Sequence, residues 1–261
     1  MSAAPGIVWI ASYPKSGNTW VRFILCNLLF GSQTSAAGLN NLAPDIHELG
    51  PLALASHMGL VKTHFLLSPA MPLVERSLAG IYVVRHPADV LLSNFHYARR
   101  SAGLAEASRR EFDEYFDEFL QHRGDPRWIR GGMGSWEESV RAWLFASRGF
   151  PVVPIKYEDL KADPMTACQM LVERFALKRS AQEIRQAVAD SSFDRLREIE
   201  MTDIRERRVG IFYKPYLQPA IGAGRRFMRK GVSGEGMEHL TAEQRTRLQN
   251  AFESLTSSLG Y

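Results

Sequence analysis

Lys15, Ser16, Gly17 and Thr19 sit between an apolar run, Ile7 to Ala11, and a second apolar stretch, Val21 to Leu29. The first run reads as a strand and the second as a buried helix. The loop joining them is Tyr13-Pro14-Lys15-Ser16-Gly17-Asn18-Thr19-Trp20. A strand, a tight loop and a helix N-terminus offer free backbone N–H groups at the positive end of a dipole, and such a site holds a phosphate without a metal. In the ATP/GTP loop G-x-x-x-x-G-K-[ST], the Lys follows the last Gly and a hydroxyl after it helps to hold Mg²⁺. Here Lys15 precedes Gly17 by two residues and no Gly opens the loop, which is a poor match to that pattern. Taken alone, K-S-G-x-T is also an ordinary turn, because Gly, Ser, Asn and Thr are common turn and cap residues.

The rest of the chain supplies partners for that loop. Four short β-branched runs, Ile7–Ala11, Gly59–Thr63, Gly80–Val84 and Val152–Lys156, alternate with helical patterns. That alternation predicts an α/β domain with a central parallel sheet flanked by helices. In an open parallel sheet, ligands sit beyond the carboxyl ends of the strands. Lys15 follows the first run, Lys62-Thr63-His64 ends the second, Arg85-His86-Pro87 the third and Tyr157-Glu158-Asp159 the fourth. Period-two geometry puts Lys62 and His64 on one side of their strand with Thr63 opposite. A cation beside a titratable base suits deprotonation of a hydroxyl next to developing negative charge. Pro87 is a natural first helical position, so Ser93 falls near the second turn beyond Arg85. An Arg fork and a hydroxyl facing one cleft suit a phosphate monoester; an ion pair of Arg85 with Asp89 is the competing reading.

The 261 residues suit a single domain, and 45% hydrophobic with 23% charged content is ordinary for a globular chain. Two cysteines, Cys26 and Cys168, both in apolar helical contexts, point to a reducing compartment. The first residues lack a basic, apolar leader pattern and no run of about 18 apolar residues exists, so a cytoplasmic protein without a membrane span is expected. The total charge of +4 is unevenly placed. Arg205 to Lys230 holds eight basic residues against Glu206 alone, a net of +7 that leaves −3 for the remainder. Concentration in one stretch suits a compact polyanion better than nucleic acid. Arg109 to His122 reads as an amphipathic helix with Phe112, Tyr115, Phe116, Phe119 and Leu120 on one face, a core stripe first and a lid second. Asp125 to Ser135 reads as loop, followed by a helix whose Glu138, Arg141 and Arg148 face water. Val209 to Gly224, broken by Pro215, Pro219, Gly222 and Gly224, reads as a long loop able to close over a ligand. Thr241 to Leu255 reads as a final helix.

In order along the chain, these residues resemble the motifs of the sulfotransferases that use 3′-phosphoadenosine 5′-phosphosulfate (PAPS). The loop Tyr13 to Trp20 resembles the family's 5′-phosphosulfate loop, and Lys62-Thr63-His64 its catalytic K-T-H. Tyr82 to Pro87 with Ser93-Asn94-Phe95 resembles its 3′-phosphate strand and helix. Ile155-Lys156-Tyr157-Glu158-Asp159-Leu160 is similar to its Y-E-D-[LM] element, Ser191-Ser192-Phe193 to its adenine segment, and Arg229-Lys230-Gly231 to its R-K-G loop. The resemblance covers about residues 7 to 250 and implies a P-loop-like core. It implies that Lys15, Ser16, Gly17, Asn18, Thr19 and Trp20 grip the phosphosulfate, Trp20 also reaching the adenine. It implies that Arg85, Ser93, Arg229, Lys230 and Gly231 hold the 3′-phosphate while Tyr157, Ser191 and Phe193 frame the base. His64 would be the general base, with Lys15, Lys62 and Ser93 the other catalytic candidates. The implied cosubstrate is PAPS, the product adenosine 3′,5′-bisphosphate, and no metal is implied.

The expected domain layout is one sulfotransferase domain over 1–261. Its cofactor core lies around 7–30, 59–97, 151–196 and 225–232; acceptor or lid segments lie around 65–72, 98–135 and 209–224. Three positions depart from the family pattern. Asn18 stands where animal cytosolic enzymes usually carry Thr, as in bacterial-type members. Gly234-Glu235-Gly236 replaces G-D-W, and the region near Thr241-Ala242 lacks the family's dimer motif. Two other classes compete. A P-loop kinase would need Lys directly after the loop Gly and a strand ending in Asp. A nucleic-acid-binding protein would leave Lys62 and His64 without a role. The expected acceptor is a partly apolar hydroxyl compound, such as a phenol, a lipid or a secondary metabolite.

Overall fold

The computed structural model describes residues 6–104, 108–147 and 149–261. Arg148, expected to face water, lies outside the described residues. The four expected strands form one sheet: β1 (Ile7–Ser12), β2 (Gly59–Thr63), β3 (Ser77–Val84) and β4 (Val152–Lys156), in the order β2-β1-β3-β4 and all parallel. β3 begins three residues earlier than its apolar run because Ser77 Oγ accepts a 2.7 Å hydrogen bond from Trp9 Nε1 and pairs beside Ile7.

Both faces of the sheet are covered, as a parallel sheet requires. Alternation along β1 and β3 divides the core accordingly. Trp9, Ala11, Tyr82 and Val84 face one cluster; Ile10, Ile81 and Val83 face the other. The second cluster is closed by α1 (Asn18–Phe30) together with α2 (Ala36–Leu42), while α3 (Ile46–Ala53) at the edge of β2 sets Ile46 in the first. α4 (Pro87–Ser101), α5 (Arg109–Gln121), α6 (Pro126–Arg130) and α7 (Trp136–Val140) cover the first face, the chain after α7 tightening into a π turn at Arg141–Phe145. Then follow α8 (Tyr157–Ala162), α9 (Pro164–Arg174), α10 (Ala181–Asp190), α11 (Phe193–Arg205), α12 (Gln218–Gly222), α13 (Glu235–His239) and α14 (Ala242–Ser258).

Local chemistry sets these boundaries. Gly17, at φ 103°, turns the chain left-handed into α1, a conformation that favours glycine. Pro87 opens α4, with His86 Nδ1 accepting from the Ala88 amide at 3.2 Å. Reciprocal capping boxes start α5 (Ser108 with Glu111), α7 (Ser135 with Glu138), α10 (Ser180 with Glu183) and α14 (Thr241 with Gln244).

Two expected loops are folded. Asp125 caps the short α6 rather than opening a loop, and its buried carboxylate also accepts from Tyr115 Oη at 2.7 Å. Val209 to Gly224 is irregular only as far as residue 214; a 3-10 turn at Pro215–Leu217 and α12 follow. Phe212 is fully buried and stacks on Phe23, with ring centres 6.2 Å apart, while Tyr213, Leu217 and Ile221 form a small cluster with Ile204. The proline and glycine content hid this because the packing is non-local.

The stripe on α5 is core. Phe112, Phe116 and Phe119 are buried; Phe112 meets Phe95 of α4 edge-on, and Phe119 meets Phe252 of α14. A lid role for this helix is therefore set aside. Truncating Phe116 to Ala leaves a cavity and is expected to cost about 3–5 kcal/mol. A chemical denaturation midpoint that hardly moves would contradict this assignment.

Candidate active site

The loop after β1, the ends of β2, β3 and β4, and the chain around Phe227 to Val232 converge on one cleft at the carboxyl edge of the sheet. Lys15, Gly17, Asn18, Thr19, Trp20, Lys62, His64, Arg85, Ser93, Tyr157, Phe193, Arg229, Lys230 and Gly231 all line it. The strands explain the convergence: β2, β1, β3 and β4 are parallel, so their ends release their functional residues at one edge.

His64 has its ring fixed by β1. Its Nδ1 lies 2.7 Å from the Ser12 carbonyl, which can only accept, so Nδ1 carries the proton and Nε2 is left with its lone pair. Burial, with Lys62 and His47 nearby, holds the His64 pKa well below the usual imidazole value, so the ring is neutral at physiological pH. Lys62 Nζ donates to Asp45 Oδ2 at 2.7 Å, and both side chains are mostly buried. Lys15 Nζ lies between the rings of Tyr97 and Phe227, 4.3 Å from each centre. Burial and the charges of Arg100, Arg85 and Lys62 lower its pKa to about 7.

Arg85 reaches Asp89 at 3.3 Å and the Val232 carbonyl at 2.7 Å, and stacks over the Tyr157 ring at 4.1 Å. Arg85 thus makes the ion pair with Asp89, and it also lines the cleft together with Ser93. Asp89 also accepts from the amides of Gly234 and Gly236, at 2.9 and 2.7 Å. A Cβ at Gly236 would meet the Ala88 carbonyl carbon at 2.2 Å, so the Trp of the family's G-D-W has no room here. Arg229 is paired through both terminal nitrogens with Glu235, and Lys230 Nζ reaches the same carboxylate at 2.7 Å. Trp20 and Tyr157 meet edge-on at 5.6 Å, with Phe193 also lining this end of the cleft.

The family model described as "Sulfotransferase domain" matches residues 5–260. The chain belongs to this sulfotransferase family. It is 25% identical to Sulfotransferase 1C2 of Rattus norvegicus over 265 residues, which cover 96% of this chain and 83% of the relative. It is 26% identical to the amine sulfotransferase of Oryctolagus cuniculus over 262 residues, covering 94% and 79%. In fold it is similar to mouse sulfotransferase SULT7A1 complexed with PAP (TM-score 0.70, 21% identity, 99% and 87% covered). A retinol dehydratase structure with androsterone and PAP is also similar (0.66, 19% identity, 98% and 82% covered).

In this sulfotransferase, some expected site residues are placed differently from the rest. Ser16 is fully buried beneath the loop, and its Oγ has no hydrogen-bond partner. The Asn18 Nδ2 points down to β1, donating to the Ile10 carbonyl at 2.9 Å, while its buried Oδ1 has no partner. Ser191 is buried outside the cleft lining: its Oγ bonds Asn27 and Ala187, while its carbonyl accepts from Trp20 Nε1 at 2.7 Å. Ser191 therefore orients Trp20 rather than touching a base. The basic stretch also divides. Lys214, Arg229 and Lys230 line the cleft, whereas Arg205 and Arg208 pair with Glu206 on the surface. The segment 65–72 and the helix 109–122, expected near an acceptor, do not line the cleft.

Sequence reasoning missed Asp45, His47, Arg22, Arg100 and Glu200. Arg22 sits on α1 as an isolated charge in an apolar run, Arg100 follows Arg99 at the end of α4, and both line the cleft with a buried, unpaired Nε. For Arg22, that isolation was the signal that could have found it. Glu200 is fully buried and accepts from the Phe227 and Met228 amides at 2.6 and 2.8 Å, fixing the chain that flanks Lys15.

Because Lys15 is half-deprotonated near pH 7 in the open cleft, an anion should draw a proton onto it. Sulfate does not titrate in this range. Its binding is expected to take up close to one proton at pH 8 and close to none at pH 6, with Lys15→Arg abolishing the uptake. Calorimetry in buffers of different ionisation enthalpy measures this; equal uptake at both pH values would contradict it.

Proposed function

We propose that this sulfotransferase takes its sulfuryl group from PAPS and passes it in line to the hydroxyl of a small molecule, with His64 receiving the acceptor proton. The observation that carries the reading is His64 Nε2, left free by the Nδ1 bond to Ser12, in one cleft with Lys15 and Lys62. PAPS supplies an activated sulfuryl group on a phosphate. The cleft fits such a molecule: Arg22, Arg85 and Arg100 line it, each with a buried Nε that has no partner, in a region rich in positive charge. The mouse sulfotransferase of similar fold is complexed with PAP, which supports the same choice of cosubstrate.

The remaining chemistry belongs to the chain. The amides around Gly17 to Thr19 open the N-terminus of α1 toward the phosphosulfate. Lys15 stabilises charge on the bridging oxygen, and Lys62 stabilises the transferring group. Arg85, Ser93, Arg229, Lys230 and Gly231 hold the 3′-phosphate. Gly231, at φ 63°, packs against Phe193, where a Cβ would come within 2.3 Å of the ring. Trp20, Tyr157 and Phe193 frame the purine, with Lys161 at the lip. The transfer needs positioning and fixed positive charge rather than a covalent intermediate.

The acceptor end is lined by Tyr97, Trp128, Met133, Ile211, Tyr216 and Leu217, a mostly apolar wall. A phenol, a lipid or a secondary metabolite with a hydroxyl suits that wall. Among the described residues no helix is long and apolar enough to cross a membrane. Cys26 and Cys168 are free and buried, consistent with a reducing compartment such as the cytoplasm. The family match gives no support to a kinase.

Adenosine 3′,5′-bisphosphate is expected to bind more tightly than AMP by about 1.5–3 kcal/mol, the worth of a charge-assisted contact. Equal affinities in calorimetry would remove the 3′-phosphate assignment. His64→Ala is expected to lower turnover of labelled PAPS roughly 10²–10⁴-fold with little change in bisphosphate affinity. Turnover near wild type would assign the base elsewhere.

A further inference from the structure

The segment that enters α3 lies alongside the end of β2 in register. Asp45 pairs with Lys62 in a parallel bridge, and the Lys62 amide donates to the Pro44 carbonyl at 2.8 Å. Two residues further along both segments, the His64 amide donates to His47 Nε2 at 2.8 Å. Asp45-x-His47 thus faces Lys62-x-His64, member for member. Asp45 and His47 both line the cleft.

The contacts are directional. Asp45 Oδ2 takes Lys62 Nζ at 2.7 Å, while Oδ1 caps α3 by accepting the His47 amide at 2.9 Å. The His47 ring accepts from a backbone N–H, so Nε2 carries no proton and its proton is on Nδ1. The ring also packs against Phe65, with centres 4.2 Å apart, and lies parallel to His64 at 5.7 Å. The carboxylate that grips Lys62 therefore also fixes the residue that grips His64.

We propose that Asp45 and His47 are positioning residues for the transfer: Asp45 holds the Lys62 ammonium in place, and His47 holds the His64 backbone so that Nε2 faces the acceptor. This rests on the reading of His64 and Lys62 given above. A small displacement of reacting groups is enough to matter, since about 1 Å can cost about 10²-fold in rate.

The charged and titratable groups around Lys62 are Asp45, His47 and Glu48 from the α3 segment, Arg22 from α1, His64 from its own strand and Lys15 from the loop. Of these, Asp45 is the anion in direct contact.

Three variants of the full chain test the proposal. Asp45→Asn keeps a good helix cap while removing the charge. His47→Gln keeps an acceptor for the His64 amide, and His47→Phe keeps a ring without one. The pH dependence of Lys62 acetylation by acetic anhydride, read by peptide mass spectrometry, needs no acceptor. In Asp45→Asn the midpoint is expected to fall by about one to three pH units, the usual effect of losing an adjacent opposite charge. Acceptor-free hydrolysis of labelled PAPS is expected to fall about tenfold or more in His47→Phe, with KM for PAPS within about twofold, and largely to recover in His47→Gln. Calorimetry with adenosine 3′,5′-bisphosphate on each protein separates the two readings. Absent binding in the wild type would sink the PAPS reading itself. Intact binding with an unmoved acetylation midpoint and unchanged hydrolysis in all variants would overturn the positioning role alone.

Discussion

Positive charge gathered where water is scarce is the constraint on which this molecule depends. Lys15, Lys62, Arg22, Arg85 and Arg100 converge at one sheet edge, and uncompensated burial of each would be costly. The fold answers with anions and π faces placed from elsewhere in the chain. Asp45 meets Lys62, Asp89 meets Arg85, Glu235 meets Arg229 and Lys230, and Lys15 rests between Tyr97 and Phe227. The open cleft is thus a set of cations held in position for an incoming polyanion.

Buried carboxylates also build the surrounding structure. Asp89 ties the Gly234 and Gly236 amides to the first turn of α4, and Glu200 ties Phe227 and Met228 to α11. Asp89 thus serves a charge and a backbone together, while Glu200 holds backbone alone, so the Arg229-Lys230-Gly231 chain is held from both flanks. Lys214 extends the pattern to the segment 209–224, pairing with Glu48 of α3 at 2.8 Å. This side of the cleft is in this way tied to the helix that Asp45 caps.

Placing His64 at the end of β2 and fixing its ring from β1 is a consequence of strand order. β1 lies beside β2, so the Ser12 carbonyl is available to His64 Nδ1. Helix α3, at the outer edge of β2, can approach the same residues from the other side. His64 is consequently gripped at its ring by one neighbour and at its backbone by another, which few exposed strand ends allow.

The sequence alone determined the parallel sheet, its four strands and the converging strand ends, because hydrophobic period and loop chemistry are local properties. It also carried the family motifs, which named most cleft residues by type and order. Tertiary structure decided the rest, through contacts between residues far apart in the chain. Asp45 and His47 carry no local signal, since their partners lie 17 residues away across a helix and a turn. Ser191 matched its motif, yet its hydroxyl is taken by Asn27, 164 residues distant, leaving only its carbonyl to steer Trp20. The span 209–224 looked irregular by composition, and only the burial of Phe212 against Phe23 shows it to be part of the core. Which side chain faces the cleft is set by packing between elements, and no run of neighbouring residues encodes it.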